Sequence, residues 1–339
     1  MYPKQVQSER LGRMDTLIFK RLSLRKSVLS VVVSLIVLSD FAFGIASAPP
    51  LNSVTNNRFT EKLAAARAGD PIAQHLVGDA YTTGNGAPKD LRKAFTWYKA
   101  AADQGIPKSE FNVGRAYEYD DGVEVNYTLA LKWYARAARK GSVHAQTNLA
   151  HMYIDTKGTR KEHKLALKLL MVAADKDHPT ALNSLGQIYS GGIGVPKNDA
   201  LSFEYYKRAA DKGFGIAYYN VGSFYFDGNR GKRQNFSTAK DWYGRAAAQG
   251  VLPGFYLLGW MYGEGKLGES NTILGYALTN VAASENNEHH LEIVRYREHL
   301  QKRMTQAQVT EAQILSEALV NPDAFTPAYR GYTAVPAID

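Results

Sequence analysis

The sequence predicts an all-α protein, a solenoid of stacked antiparallel helix pairs with about 36 residues in each repeat. A tyrosine column recurs with this period from Tyr81 to Tyr262. Pairs of large apolar residues followed by two alanines recur with the same period, as in Trp97-Tyr98 and Ala101-Ala102. A third column contains glycine, and once aspartate, at spacings of 36, 36, 36, 36 and 37 residues: Gly69, Gly105, Gly141, Asp177, Gly213 and Gly250.

Residues 1–48 stand outside the repeats and have the layout of a secretory signal. A basic segment from Lys20 to Lys26 precedes the apolar run Val28–Leu38, and small residues follow up to Ala48. This pattern predicts a signal peptide, or else an uncleaved anchor formed by residues 28–46 in the inner membrane. Because the positive flank stays inside, both alternatives place the repeats outside the cytoplasm. We therefore expect an exported protein, most simply a periplasmic one.

Composition narrows the possible partners. The chain of 339 residues contains no cysteine, which excludes disulfides and thiolate metal sites. Its formal charge is +9, but the first 48 residues carry +4, which leaves a mild +5 for the rest. Because we expect the chain to be exported, we do not expect nucleic acid as a partner. Membrane contact is expected only through the N-terminal segment, if it is not cleaved.

The elements follow in order from residue 49. Residues 49–58 are predicted to be a linker, and residues 59–284 the solenoid, which starts with one helix of a truncated repeat. In each full repeat, apolar residues at helical spacing mark a first helix, A, and a second helix, B. Gly78 and its equivalents are expected to allow close helix approach. Four side chains are predicted to cap the B helices: Asp90, Asn126, Asn198 and Asn235.

The single 37-residue spacing has a defined origin. The loop Gly228-Asn-Arg-Gly231-Lys-Arg is one residue longer than the loop Gly84-Asn-Gly86-Ala-Pro-Lys of the first full repeat. Glycine-rich loops of this kind are turn signals between two helices. They are not predicted to bind phosphate, because no strand precedes them.

The C-terminal region departs from the repeat pattern. Residues 285–322 are predicted to form two capping helices, about Glu288–Arg303 and Gln306–Val320, since the end of a solenoid must present a polar face. Thr305 and Gln308 form a predicted capping box. Residues 323–339 contain two prolines and few apolar side chains, and we expect a flexible tail.

The repeat motifs resemble a known family. The pattern Gly-x-x-Tyr, Gly-x-Gly-x-Pro and Ala-x-x-Trp-Tyr-x-x-Ala-Ala-x-x-Gly, covering roughly Phe59 to Ala283, is similar to the Sel-one-like repeat, a relative of the tetratricopeptide repeat. The resemblance implies a right-handed superhelix and a scaffolding role. It implies no catalytic residues, because the family shares none. Some exported members have a disulfide in each repeat, which this chain lacks.

No pattern in the sequence indicates an enzyme, a cofactor site or a metal site. Trp97, Trp133 and Trp242 lie at helical spacing beside paired alanines and are predicted to be core residues. Adjacent His289 and His290 point in directions about 100° apart on a helix, so a solvated face is favoured over metal binding. We therefore predict a non-catalytic protein.

The predicted binding site lies where the repeats differ. One face of helix A varies from copy to copy, is polar in the early repeats and becomes aromatic in the later ones. In tetratricopeptide-like superhelices helix A lines the concave groove. The residues predicted to bind a partner are Asp79, Phe111, Arg115, His151, Gln187, Tyr219, Phe226, Tyr256 and Trp260.

Two functions remain compatible with this face. The first is an interaction scaffold in the cell envelope that binds a protein or peptide and regulates an envelope enzyme or sensor. The second is a protein that binds or cleaves a cell-wall or capsular glycan through the same aromatic residues. The sequence favours the scaffold, because glycan cleavage needs a general acid at a defined position, and no residue in the sequence can be assigned to that role. The sequence leaves two roles open for Tyr219 and Tyr256: they contact a partner, or they belong to the hydrophobic core next to the capping helices.

Overall fold

The computed structural model describes residues 51–155, 160–228, 230–284, 290–321, 324–326 and 328–329. The predicted signal segment and most of the predicted tail lie outside these ranges. The described part of the tail is packed rather than flexible, since Phe325 is buried and its ring lies 5.5 Å from that of Phe255. Within them the protein is helical and contains no strand. The helices are α1 Leu51–Arg67, α2 Pro71–Thr83, α3 Leu91–Asp103, α4 Pro107–Tyr119, α5 Tyr127–Arg139, α6 Val143–Asp155, α7 Arg160–Ala174, α8 Pro179–Gly191, α9 Asp199–Asp211, α10 Gly215–Asp227, α11 Phe236–Ala248, α12 Leu252–Gly263, α13 Thr272–Ala282, α14 His290–Gln301 and α15 Gln306–Val320.

The first helix begins earlier than the sequence predicts. Residues 51–58 are helical, although their polar composition predicts a linker. Adding residues to an existing helix costs little compared with starting one, so polar residues can extend a helix whose later turns are packed. Within the described ranges, no helix is both long and apolar enough to cross a membrane.

Each repeat is an antiparallel pair of helices. The Asp90 N–H donates to the Tyr81 carbonyl over 2.9 Å, Gly78 lies against Tyr98, and the Gln104 amide donates to Gln74 over 2.8 Å. Residue numbers fall along α2 as they rise along α3, so the two helices run in opposite directions. The same pairing joins α4 to α5 and continues to α12 and α13, and each B helix packs on the following A helix.

Small residues on helix A allow this packing, as the sequence predicts. A Cβ atom at Gly78 would lie 2.6 Å from the Tyr98 ring, and one at Gly114 would lie 2.8 Å from the ring of the buried Tyr134. The paired alanines of the B helices are buried beside these rings. Trp133 is buried, whereas Trp97 and Trp242 are only partly buried. Lys207 and Arg245 both lie over the indole of Trp242, at 5.8 Å and 4.8 Å from its centre.

The predicted helix ends are confirmed. Asp90, Asn126, Asn198 and Asn235 each accept a hydrogen bond from a backbone N–H of the following helix. Asp177 has the left-handed φ of +55° that its glycine equivalents also adopt. Both hydrogen bonds of the Thr305–Gln308 capping box are present. The capping helices α14 and α15 pack against α13.

Consecutive repeats are joined at the carboxyl ends of their B helices. Side chains there donate to the glycine carbonyl of the preceding repeat: Gln104 to Gly69, Lys140 to Gly105 and Gln249 to Gly213, over 2.8 to 3.1 Å. These bonds satisfy carbonyls that a helix end leaves without an intrahelical partner. The stacking of repeats therefore depends on polar contacts as well as on apolar burial.

Candidate functional site

The variable face of the A helices consists of two positions, four residues apart, in each repeat. We call this surface the A face. Its first position is occupied by His75, Phe111, Thr147, Asn183, Tyr219 and Tyr256. Its second position is occupied by Asp79, Arg115, His151, Gln187, Ser223 and Trp260.

In the early repeats, the polar side chains of the A face bind other parts of the fold. Asp79 accepts a hydrogen bond of 2.6 Å from the Tyr98 hydroxyl. Arg115 Nε lies 3.2 Å from the Asp121 carboxylate, an ion pair whose geometry falls short of a hydrogen bond. His151 Nε2 lies 2.6 Å from the Ser184 hydroxyl of the next A helix. These residues therefore stabilise the repeats, whatever else they contact.

Two further predicted residues lie on the A face, Phe111 on α4 and Gln187 on α8. The Phe111 ring packs 5.7 Å from both Tyr134 and His144, so it is held within the stack. Gln187 is exposed on α8. The early repeats thus present a surface that is largely engaged in its own hydrogen bonds and ring contacts.

In the later repeats, three of the predicted aromatic residues lie close together. Phe226 packs 5.5 Å from Trp260 and 6.0 Å from Tyr243, measured between ring centres, and Tyr219 packs 5.7 Å from Tyr243. Tyr219, Phe226 and Trp260 are all partly exposed. We call these three residues the aromatic cluster. They present an apolar surface of the kind that often carries binding energy.

Tyr256 differs from this cluster because the cap partly covers it. Its hydroxyl donates to Glu292 of α14 over 3.0 Å, and the Tyr296 ring lies 6.2 Å away, edge-on. The sequence could not show this contact, because Glu292 belongs to the capping region and lies outside the regular repeats. The role of Tyr256 in partner binding stays a prediction.

A cavity of about 430 Å³ lies beside the aromatic cluster and opens on the A face. Tyr219 and Phe226 belong to its lining, as predicted, but several polar residues there do not figure among the predicted site residues. The described lining residues are Ser190, Tyr206, Tyr219, Asn220, Ser223, Phe226, Asp227, Arg230, Tyr243 and Leu257. Only Arg230 and Asp227 among these residues carry a formal charge.

The polar groups of the cavity are connected to one another. The Tyr243 hydroxyl donates to Ser223 over 3.3 Å, and Ser223 donates to the Tyr219 carbonyl over 3.1 Å. The Asn220 amide donates to Asn183 over 2.8 Å. Burial raises the pKa of Tyr206 to about 12 and also raises the pKa of Tyr243, so both phenols remain protonated at neutral pH.

Two histidines, His75 on the A face and His178 at the N-terminus of α8, have lowered pKa values. Desolvation by burial is the main cause for both; nearby Asp79 opposes the shift at His75, and His144, 3.2 Å from His178, adds to it there. Such groups bind protons more weakly in the folded than in the unfolded chain. Stability is therefore present above the ordinary histidine pKa near 6.5 and decreases as pH falls below it.

We expect the free energy of unfolding in urea to be lower at pH 5.5 than at pH 7.5, with the loss beginning below about pH 6.5. The variant His75→Gln/His178→Gln should show a smaller difference between the two pH values, because neither side chain can then take up a proton. An unchanged pH dependence in this folded variant would show that other groups cause it.

Metal-ligating residues do not cluster in this part of the protein. Among the described residues, no three His, Asp or Glu side chains are arranged to hold a metal ion. Residues 285–289, which include His289, lie outside the described ranges.

Comparison with known proteins agrees with the repeat architecture. The family model described as "Sel1 repeat" matches residues 71–106, 107–142, 143–178, 179–214, 215–251 and 256–287. No curated protein matches the chain significantly.

Two solved structures show the same fold. A protective antigen of uropathogenic Escherichia coli with an SLR fold has 25% identity and a TM-score of 0.70, over 84% of this chain and 61% of that one. The chain thus spans less than two thirds of the antigen's length. A Sel1 repeat protein from Oxalobacter formigenes has 29% identity and a TM-score of 0.60, over 70% of this chain and 98% of that one. With six matched repeats over more than half of its length, the chain belongs to the Sel1 repeat family.

Proposed function

We propose that this protein is a non-catalytic scaffold of the cell envelope that binds a protein or peptide partner on its A face. Sel1 repeat proteins generally mediate protein–protein interactions, and the family is typically non-enzymatic. The observation that carries the proposal is the aromatic cluster of Tyr219, Phe226 and Trp260, partly exposed beside a cavity of about 430 Å³. Aromatic anchors next to a pocket are the usual centre of a protein interface.

The position of the cluster supports an extended or helical segment as the partner. The A face continues from the cluster through six repeats, and its early residues are polar. A segment that inserts apolar residues at the cluster can therefore place polar residues along α8 and α6. By binding this segment, the scaffold regulates the envelope enzyme or sensor that carries it.

The envelope location is part of the proposal. It is supported by the basic segment, apolar run and small residues of positions 20–48, which have the order of a secretory signal. Fractionation of cells that produce the full chain should recover it in the periplasm, or in the inner membrane if residues 28–46 remain attached. Recovery in the cytoplasm alone would contradict the location.

A glycan-directed role is the alternative that the same aromatic residues suggest, because sugars also stack on exposed rings. We expect no binding and no turnover when the purified protein is mixed with cell-wall or capsular fragments. Saturable sugar binding that is lost in Trp260→Ala would favour this alternative over the scaffold.

Photo-crosslinking in living cells tests the scaffold directly. A photo-reactive amino acid at position 260 should crosslink one defined protein, which mass spectrometry can identify. The matched control is position 171, since Met171 is exposed on the B helix α7 rather than on the A face. Equal crosslinking from both positions, or none from position 260, would contradict binding on the A face.

A further inference from the structure

Arg230 is the extra residue of the 37-residue repeat. In the first full repeat Gly84-Asn85-Gly86 connects helices A and B, whereas here Gly228 and Gly231 enclose two residues instead of one. The flanking glycines are left-handed in both loops, with φ of +80° and +86° in the first and +70° and +75° in the second. The glycines therefore correspond, and the insertion lies between them.

The insertion changes the contacts between the loop backbone and the preceding repeat. A Cβ atom at Gly122 would overlap the backbone of Leu91 in the preceding B helix, and one at Gly194 would lie 2.6 Å from His163. At the equivalent Gly231, nothing lies within 4 Å. The backbone at Gly231 thus does not pack closely on the preceding repeat. The loop contacts that repeat through side chains instead, with Lys232 over the Phe203 ring at 4.0 Å, and its extra residue, Arg230, lines the cavity of the A face.

The guanidinium of Arg230 is held in a fixed position. It lies over the Phe224 ring at 4.0 Å, donates to Asp227 over 3.1 Å, and lies 3.5 Å from the Ser190 hydroxyl. The side chain is only 22% exposed. Its Nε is buried and has no hydrogen-bond partner among the described residues. An arginine immobilised in this way loses little conformational freedom when it binds a ligand.

The cavity offers more hydrogen-bond donors than acceptors. Arg230 has five N–H donors, one of which is donated to Asp227, the only carboxylate among the described lining residues. The phenol of Tyr206 adds an O–H group at the same cavity. A group that only accepts hydrogen bonds complements this surface, and a planar carboxylate matches the guanidinium fork. A phosphate dianion fits less well, because it adds two negative charges to a lining in which Asp227 already offsets Arg230, whereas a carboxylate adds one.

We propose that the cavity binds an Asp or Glu side chain of the partner segment, with Arg230 as the residue that selects it. The inference rests on the proposed function, since it names the chemistry of the segment that the A face would bind. The cavity volume is sufficient for one acidic side chain, and the aromatic cluster beside it accommodates an adjacent apolar residue. The expected motif is therefore an acidic residue close to an apolar one.

A positional-scanning library of N-acetylated, C-amidated peptides tests this inference with the full chain. These end groups ensure that any carboxylate preference comes from side chains. Wild type should select Asp or Glu at one position. The selected peptide should bind Arg230→Gln about ten- to a hundredfold more weakly, which is the size of a lost charged hydrogen bond. The control Arg233→Gln, in the exposed part of the same loop, should bind like wild type.

A second variant separates recognition from folding. Asp227→Asn removes the carboxylate that competes for Arg230, so the acidic peptide should bind this variant more tightly than wild type. Unfolding cannot produce a gain in affinity. Peptides without an acidic preference, a preference that persists in Arg230→Gln, or a stronger preference for phosphoserine would each overturn the inference. The proposed scaffold function would survive such results if position 260 still crosslinks a protein. A library from which no peptide binds would also overturn the inference, with the same consequence for the scaffold.

Discussion

Gly122→Ala is expected to destabilise the protein by about 2 to 5 kcal/mol, which combines backbone strain with overpacking. Gly122 has a φ of +83°, a conformation that side chains other than glycine adopt at a cost. An added Cβ atom would also overlap the carbonyl of Leu91, which is backbone and cannot rotate away. The loop would have to separate from the preceding repeat.

Gly231→Ala is the matched control, because Gly231 has a φ of +75° but nothing within 4 Å of the added atom. It should lose only the conformational part, about 1 to 2 kcal/mol. Urea unfolding followed by circular dichroism measures both variants. Equal losses would show that the contact with Leu91 does not contribute to the stacking of the repeats.

Glu110→Ala is expected to destabilise the protein by about 2 to 3 kcal/mol, because it opens a cavity and separates a buried ion cluster. Glu110 is 0% exposed, and its Oε1 lies 3.0 Å from Arg136 and 2.8 Å from Lys140. Arg136 also donates to the Ala102 carbonyl of the preceding repeat over 3.1 Å. The cluster thus joins two repeats. We place the loss below that of a fully buried pair, since the two cations are 37% and 40% exposed.

Glu110→Gln should cost about 1 kcal/mol or less. The first and third repeats have glutamine at the same position, Gln74 and Gln146, and both are buried. The second carboxylate oxygen of Glu110 is buried without a hydrogen-bond partner among the described residues, so its charge carries a desolvation cost that glutamine avoids. Chemical denaturation of the two variants shows whether Glu110→Ala loses more stability than Glu110→Gln. A glutamine variant as unstable as the alanine variant would contradict a cost that arises mainly from the cavity.

The period of the sequence predicts most of the fold, because each column has a local physical cause. Gly78 allows Tyr98 to approach, Asn126 caps a helix, and Asp177 adopts a left-handed backbone; each of these effects can be read from one repeat and its neighbour. The start of α1 at Leu51 could not be predicted in this way. Its polar residues have no apolar pattern, and their helix extends one that is packed further on.

The candidate site is less predictable, since it depends on contacts between residues far apart. The sequence indicates the later A helices through Tyr219, Phe226 and Trp260, but not the contact of Tyr256 with Glu292. Arg230 is absent from the predicted site residues, although the 37-residue spacing indicates its position. A change in repeat length is therefore as informative as a change in residue type, because it alters which side chain a loop places on the shared surface.

Partner binding by Tyr219→Ala/Trp260→Ala tests the central claim most directly, using the protein identified by crosslinking. Aromatic anchors contribute about 2 kcal/mol or more each, and the loss of one alone corresponds to about thirtyfold, so the double variant should bind at least that much more weakly. Its circular dichroism spectrum and melting transition show whether it is folded, and Met171→Ala on the B helix should bind like wild type. A folded double variant that binds the partner with wild-type affinity would contradict recognition by the A face.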